Sequence, residues 1–218
     1  SGLIAACFFL TIKNEISIPI HVIRDYNIPS WSRNRTLFIF SSYSGNTEET
    51  ISCFNLALSK SEMLISICTG GELQKISSQN HVKTILLPKG FQPRAALGFS
   101  LITLLIIFNS LGILKLNFIK TILDAASKLD EFYDTFCKEQ GLAYNIASEL
   151  KGSVIAIYGV QSSTEHIASR FRAQLAENSK VLATLNFLPE MNHNEIEGWN
   201  ERQFGKLKKC AIWISDKD

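Results

Sequence analysis

Little in this chain points to charge-driven partners. A net charge of +2, with only 19% charged residues, supplies no basic field for nucleic acid or for an anionic membrane surface. The cysteines form no usable pattern: Cys7, Cys53, Cys68, Cys137 and Cys210 are scattered, odd in number and without a CxxC pair. Such spacing argues against a disulfide framework or a thiolate metal site, and reads as buried free thiols in a reducing cytoplasm. No His/Asp/Glu cluster has metal-ligand spacing, so no metal site is expected. The apolar stretch from Ser1 to Leu10 lacks a basic flank and does not read as a secretory signal. Low-complexity segments and short tandem repeats are absent.

One long uncharged run needs a membrane check. Ala95 to Leu114 carries no charge, and a spanning helix needs about 20 apolar residues. Ser100, Thr103, Asn109, Ser110 and two glycines interrupt it, so a fully buried helix at a subunit or domain interface is expected. What remains is ordinary globular composition. With 46% hydrophobic residues over 218 positions, the chain can bury one large core or two small ones.

Apolar runs at Ile20 to Ile23, Thr36 to Phe40, Met63 to Cys68 and Thr84 to Leu87 predict short buried parallel strands. Helical patterns at Leu3 to Ile12, Thr47 to Lys60 and Glu72 to Ser78 alternate with them. That alternation implies a doubly wound α/β sheet. Helical stretches follow at Arg94 to Leu114, Asn117 to Glu139 and on to Leu150. A second α/β half then begins: a strand at Ser153 to Val160, a helix at Thr164 to Glu177, and strands at Thr184 to Leu188 and Lys209 to Ile214. We therefore expect two α/β subdomains, 1–92 and 152–218, joined by a helical connector at 93–151.

The turn Ser41-Ser42-Tyr43-Ser44-Gly45-Asn46-Thr47, between a predicted strand and a predicted helix, is the richest chemical feature. A helix start offers unpaired N–H groups and the positive end of a dipole, and together these bind phosphate. Ser42, Ser44 and Thr47 add hydroxyls, and Gly45 allows close backbone approach. The turn has no Lys, which separates it from Walker-type nucleotide loops. A plain N-cap at Ser44 or Thr47, with a nearby Glu as capping box, explains the same residues.

SSYSGNTEET resembles the phosphate-binding turn of sugar-isomerase (SIS) domains. Together with Ile20-His21-Val22-Ile23-Arg24-Asp25-Tyr26, Gln92-Pro93-Arg94-Ala95-Ala96-Leu97-Gly98 and Pro189-Glu190-Met191-Asn192-His193-Asn194-Glu195-Ile196, it resembles the bifunctional phosphoglucose/phosphomannose isomerase family. The resemblance implies an aldose–ketose isomerase acting on glucose 6-phosphate or mannose 6-phosphate and fructose 6-phosphate through a cis-enediolate. It implies a cytoplasmic homodimer in which the active-site His reaches the partner's site. It also makes Ser1-Gly2 the end of a first, glycine-rich phosphate turn, with Ser1 as a fourth phosphate contact. On that reading both ends of the chain are cut, a strand before and a lysine-bearing helix after.

Such an isomerase needs an acid/base to open the ring, a carboxylate to move a proton between C1 and C2, and a cation or donor for the oxyanion, and it needs no metal or organic cofactor. His193, which titrates near neutrality when unperturbed, is the residue of the segment that matches the family's ring opener. Glu177 aligns with the family's catalytic base; Glu195 stands next, with Glu190 and Glu197 also close to His193. Arg94 matches the cation that faces the enediolate. His21, His81 and His166 are expected to be structural. Gln161-Ser162-Ser163-Thr164 repeats the strand-then-hydroxyl pattern, as a vestigial duplicate or a sugar-lining loop. A non-catalytic sugar-phosphate sensor is the main rival. An isomerase or lyase of another phosphosugar fits the later segments less well, and a flavodoxin-like cofactor domain lacks a flavin-stacking aromatic pair with matching spacing.

Overall fold

The computed structural model describes residues 16, 18–33, 35–114, 118–199 and 207–215. Contacts divide the chain into two compact units, Ser1–Lys115 and Leu116–Asp218. Each carries a three-stranded parallel sheet.

In the first unit β1 (Phe38–Ser41), α1 (Glu48–Leu58), β2 (Leu64–Cys68), α2 (Gly71–Gln79) and β3 (Lys83–Leu86) follow in alternation. The sheet order is β1-β2-β3, with Phe38 opposite Leu64 and Ile65 opposite Lys83. Its core gathers Phe38 and Phe40 with Cys53, Phe54 and Ala57 of α1, and Leu73 of α2. Phe40 meets Phe54 edge to face at 5.1 Å, the geometry favoured by ring quadrupoles. One polar pair lies inside this packing. Ser66 of β2 and Ser77 of α2, both fully buried, share a hydrogen bond of 2.7 Å. The predicted strand at 20–23 does not form. His21, Val22 and Ile23 line a cleft together with β1, and a strand without a hydrogen-bonded neighbour about 4.8 Å away is not one.

A 3₁₀ turn at Pro93–Ala95 precedes α3 (Leu97–Ser110). The expected single helix from Arg94 is therefore broken, and the expected full burial is half realised. Ser100, Leu104, Leu105, Ile107 and Phe108 are inside, while Ile102, Ile106 and Leu111 face outward. No helix among the described residues is long and apolar enough to cross a membrane.

The second unit holds α4 (Phe118–Phe136), α5 (Leu142–Leu150), β4 (Val154–Val160), α6 (Glu165–Gln174), β5 (Thr184–Leu188), a 3₁₀ turn at Glu190–His193, α7 (Glu195–Gly198) and β6 (Lys209–Trp213). Its sheet runs β5-β4-β6. Central β4 is covered on both faces, which its unbroken apolar sequence requires. Ile155 and Ile157 pack with Ala168, Phe171 and Phe187 on one side; Ala156 and Tyr158 pack with Met191 and Trp199 on the other. Helix α6 stops three residues short of the predicted end and passes into a π turn over Leu175–Ser179, closed by Lys180 at φ 59°. Cys53 and Cys68 are buried free thiols whose pKa burial pushes up, whereas Cys137 is exposed, against expectation.

The Ser66–Ser77 pair yields a test. Ser77→Ala strands one buried hydroxyl and is expected to lower unfolding free energy in urea by about 1–3 kcal/mol, while removing both hydroxyls costs less than removing one. A double variant less stable than Ser77→Ala contradicts the pairing.

Candidate functional site

In the first unit the hydroxyl turn leaves the end of β1 and enters α1, as its strand-then-turn residues dictate. Its backbone is locked to the equivalent turn after β2. Gly45 has φ +71°, and a Cβ there would lie 1.9 Å from the Gly70 carbonyl oxygen. Gly71 has φ +72°, and its Cβ would fall 2.5 Å from the Ser44 carbonyl oxygen. The Thr69 and Leu73 amides donate to the carbonyls of Tyr43 and Gly45, both at 2.8 Å. Asn46 reaches across, and its Oδ1 accepts from the Glu72 amide at 2.9 Å, at the start of α2.

The hydroxyls divide by burial. Ser42 is 1% exposed, and its Oγ accepts from the Gly45 amide at 3.1 Å and pairs with Thr47 Oγ1 at 2.7 Å. One proton of that pair stays within it, so one remains for a ligand. Ser44 is exposed and its Oγ accepts from the Asn46 amide at 3.2 Å, leaving its own proton to donate. Thr47 stands at the N-cap of α1 without a side-chain capping bond. The plain capping-box reading of this turn is therefore not realised. Glu48 and Glu49 occupy the first turn of α1, where the dipole favours them.

A cleft of about 440 Å³ lies beside this turn, with Thr47, Glu49 and Thr50 on one wall and Arg24 and Asp25 on another. Arg24, which lines this cleft, belongs to the segment 20–26 that carries part of the family resemblance but to which the sequence assigned no site residue. Tyr43 supplies a second feature missed in the sequence. Its hydroxyl donates to the Pro88 carbonyl at 2.8 Å and accepts from the Phe91 amide at 3.2 Å. That tethers the turn to the loop leading to Arg94, which is exposed on the Pro93–Ala95 3₁₀ turn. Ser1 lies outside the described residues.

In the second unit Glu177 is exposed on the π turn, a feature enriched at functional sites. Lys180 Nζ donates to the Glu177 carbonyl at 2.7 Å. His193 is exposed at the end of the Glu190–His193 turn. Neither a hydrogen bond nor an ion pair joins Glu177 to His193 among the described residues. Glu195 is differently placed: Tyr158 Oη donates to Oε1 at 2.6 Å and Asn186 Nδ2 to Oε2 at 2.7 Å. The repeated hydroxyl pattern at Gln161–Thr164 is put to structural use. Thr164, 5% exposed, accepts from the Val160 amide at 2.9 Å and donates to the Ile214 carbonyl, stapling the ends of β4 and β6. His21 packs edge-on against Trp31 at 5.4 Å, and His166 lies 3.3 Å from Glu165. No group of His, Cys, Asp and Glu among the described residues could hold a metal ion.

Residues 139–218 match the family described as the bacterial phospho-glucose isomerase C-terminal SIS domain. The chain is 40% identical over 190 residues to a bifunctional phosphoglucose/phosphomannose isomerase of Caldicellulosiruptor bescii, covering 86% of this chain and 56% of that protein. It is 34% identical over 200 residues to its Aquifex aeolicus counterpart, covering 92% and 59%. The chain thus spans somewhat over half the length of the curated relatives it matches. Among solved structures, the C-terminal domain of glucosamine-fructose-6-phosphate aminotransferase from Francisella tularensis superposes with a TM-score of 0.73 at 14% identity, covering all of this chain and 63% of that one.

The interlock of the two turns predicts a graded response to added methyl groups. Gly45→Ala meets both a left-handed backbone and a carbonyl, and is expected to cost about 2–4 kcal/mol in thermal or urea unfolding. Gly90, at φ +97° with nothing within 4 Å, provides the control, and its alanine variant should cost only the backbone part, about 1–2 kcal/mol. Equal costs would show that the interlock is not tight.

Proposed function

The chain belongs to the bifunctional phosphoglucose/phosphomannose isomerase family, and on that premise we propose that it is part of an isomerase interconverting glucose 6-phosphate or mannose 6-phosphate with fructose 6-phosphate. The observation that carries this reading is the hydroxyl turn: Ser44 keeps its proton to donate, and the Ser42–Thr47 pair keeps one, beside the uncapped start of α1. That arrangement suits a small phosphomonoester. Ser42 acts from behind, fixing Thr47 and Gly45, and Ser1 completes the phosphate set.

Anchoring the phosphate holds the far end of the sugar and lends binding energy to the reacting end. There His193 opens the ring, the Glu177 carboxylate takes the proton from C2 of the aldose and returns it to C1, and Arg94 faces the negative charge that gathers on the enediolate oxygens. Ketose formation runs the same steps that aldose formation reverses, so one carboxylate serves both directions. Glu177 rather than Glu195 takes this role because both Glu195 oxygens are already engaged.

Glu177 and His193 are both exposed in a single chain, which supports a site completed by a second copy. We assign the 1–92 and 152–218 segments as the two sugar-isomerase subdomains, with 93–151 as the connector and dimer interface. The exposed apolar side chains Ile119, Leu123, Leu129 and Phe132 of α4 support that last role. Buried free thiols at Cys53 and Cys68 favour a cytoplasmic protein.

The test uses the full-length gene product with both aldose phosphates. Glu177→Gln is expected to cut kcat by about 10²–10⁴-fold and to abolish deuterium uptake at the migrating position, with binding of fructose 6-phosphate kept. Near-normal turnover removes Glu177 from the role. Binding without any exchange in the unaltered protein would instead identify a sensor.

A further inference from the structure

We propose that Glu195 is a positioning residue whose carboxylate clamps the turn carrying His193 to the sheet; this rests on the isomerase reading above. The Glu190–His193 turn and α7 are four residues each, too short to hold their shape alone. Their attachment to the sheet is therefore what fixes the histidine.

Tyr158 of β4 and Asn186 of β5 are register partners on neighbouring parallel strands, so their side chains stand on one face of the sheet. Together they make a fork of two donors, and the two oxygens of Glu195 occupy it at 2.6 and 2.7 Å. The direction of the bonds is set. Trp199 Nε1 donates to Tyr158 Oη at 2.6 Å, and Tyr158 Oη donates its own hydrogen bond to Glu195. Tyr158 is 1% exposed, and burial with the adjacent carboxylate pushes its pKa up to about 12. The phenol thus stays a donor across the physiological range.

The clamp grips both flanks of His193. Asn194 Oδ1 accepts from the Glu195 amide at 2.5 Å, and its Nδ2 donates to Glu190 Oε1 at 3.2 Å. Met191, 2% exposed, is packed beside Ala156 and Tyr158. The backbone on either side of residue 193 is held while the imidazole itself faces solvent. The cluster of Ile155, Ile157 and Ala168 is separate from these contacts, so the clamp serves one turn and not the whole unit.

The experiment compares Glu195→Gln, Tyr158→Phe and the double variant in the full-length protein. Three readouts are taken: steady-state isomerisation of fructose 6-phosphate, melting temperature, and hydrogen exchange of peptides covering 189–199. Each single variant should lower kcat by about 10- to 100-fold, with KM for fructose 6-phosphate within about threefold. The double variant should lose no more than the worse single one, because both act on one unit. Exchange over 189–199 should quicken at least about tenfold while β4 stays protected. Should Tyr158→Phe not fold, Asn186→Ala removes the other donor and is expected to behave alike. A purely structural role would lower melting temperature and leave kcat per folded molecule intact, which overturns the proposal. Loss of turnover in Glu195→Gln with normal turnover in Tyr158→Phe also overturns it, since Glu195 would then be reacting itself. An inactive unaltered protein refutes the isomerase reading and the catalytic half of this one; unchanged exchange over 189–199 refutes the clamp alone.

Discussion

A carbonyl oxygen stands where the side chain of residue 45 would begin. That contact, between the backbones of the two turns that end β1 and β2, fixes the rest of the first unit's chemistry. Because Gly45 and Gly71 have no side chains, the turns close on each other and their amides and carbonyls pair across the gap. Asn46 is then spent on the start of α2 and not on α1. The start of α1 is left without a side-chain cap, beside two hydroxyls that keep a proton to give. On the proposed reading, this packing of the backbone is what presents the turn to a phosphate, without any cation in the turn itself. Tyr43 extends the same constraint to the loop before Arg94 through a pair of hydrogen bonds.

The second unit solves a different problem by a different device. Short turns after β5 carry the exposed His193, and exposure removes the burial that normally fixes a side chain. In the proposed clamp, a carboxyl group seated between donors on two strands replaces that burial with direction. Paired carboxylates are often candidates for acid/base chemistry, but the neighbours of Glu195 and Glu177 separate them. One is held on both oxygens, and the other stands open on a π turn.

The sequence made local features legible and left long-range ones hidden. Apolar runs located β1, β2, β3, β4, β5 and β6 to within two or three residues, because buried parallel strands need unbroken hydrophobic stretches. The hydroxyl turn was legible for the same local reason, strand then serines then acidic helix start. The run at 20–23 carried an equal signal and formed no strand, since pairing depends on a neighbour and not on composition. Helix α3 read as buried all round and is half exposed, because an apolar sequence does not state how many faces are covered. The end of α6 was placed too late: helical periodicity continues through Leu175 while the backbone widens into a π turn. The bonds from Asn46 to Glu72 and from Glu195 to Tyr158 join positions 26 and 37 apart. No local pattern marks such partners, although Asn and Tyr in strand or turn positions are the residue types able to make them.

The central claim is that the turn Ser42–Thr47 receives the phosphate of a hexose phosphate. It is tested most directly by a crystal structure of the full-length protein with fructose 6-phosphate bound. The account predicts the phosphorus seated at the start of α1, with the Ser44 and Thr47 hydroxyls donating to its oxygens. A phosphate bound elsewhere, with both hydroxyls turned into the protein, would contradict it.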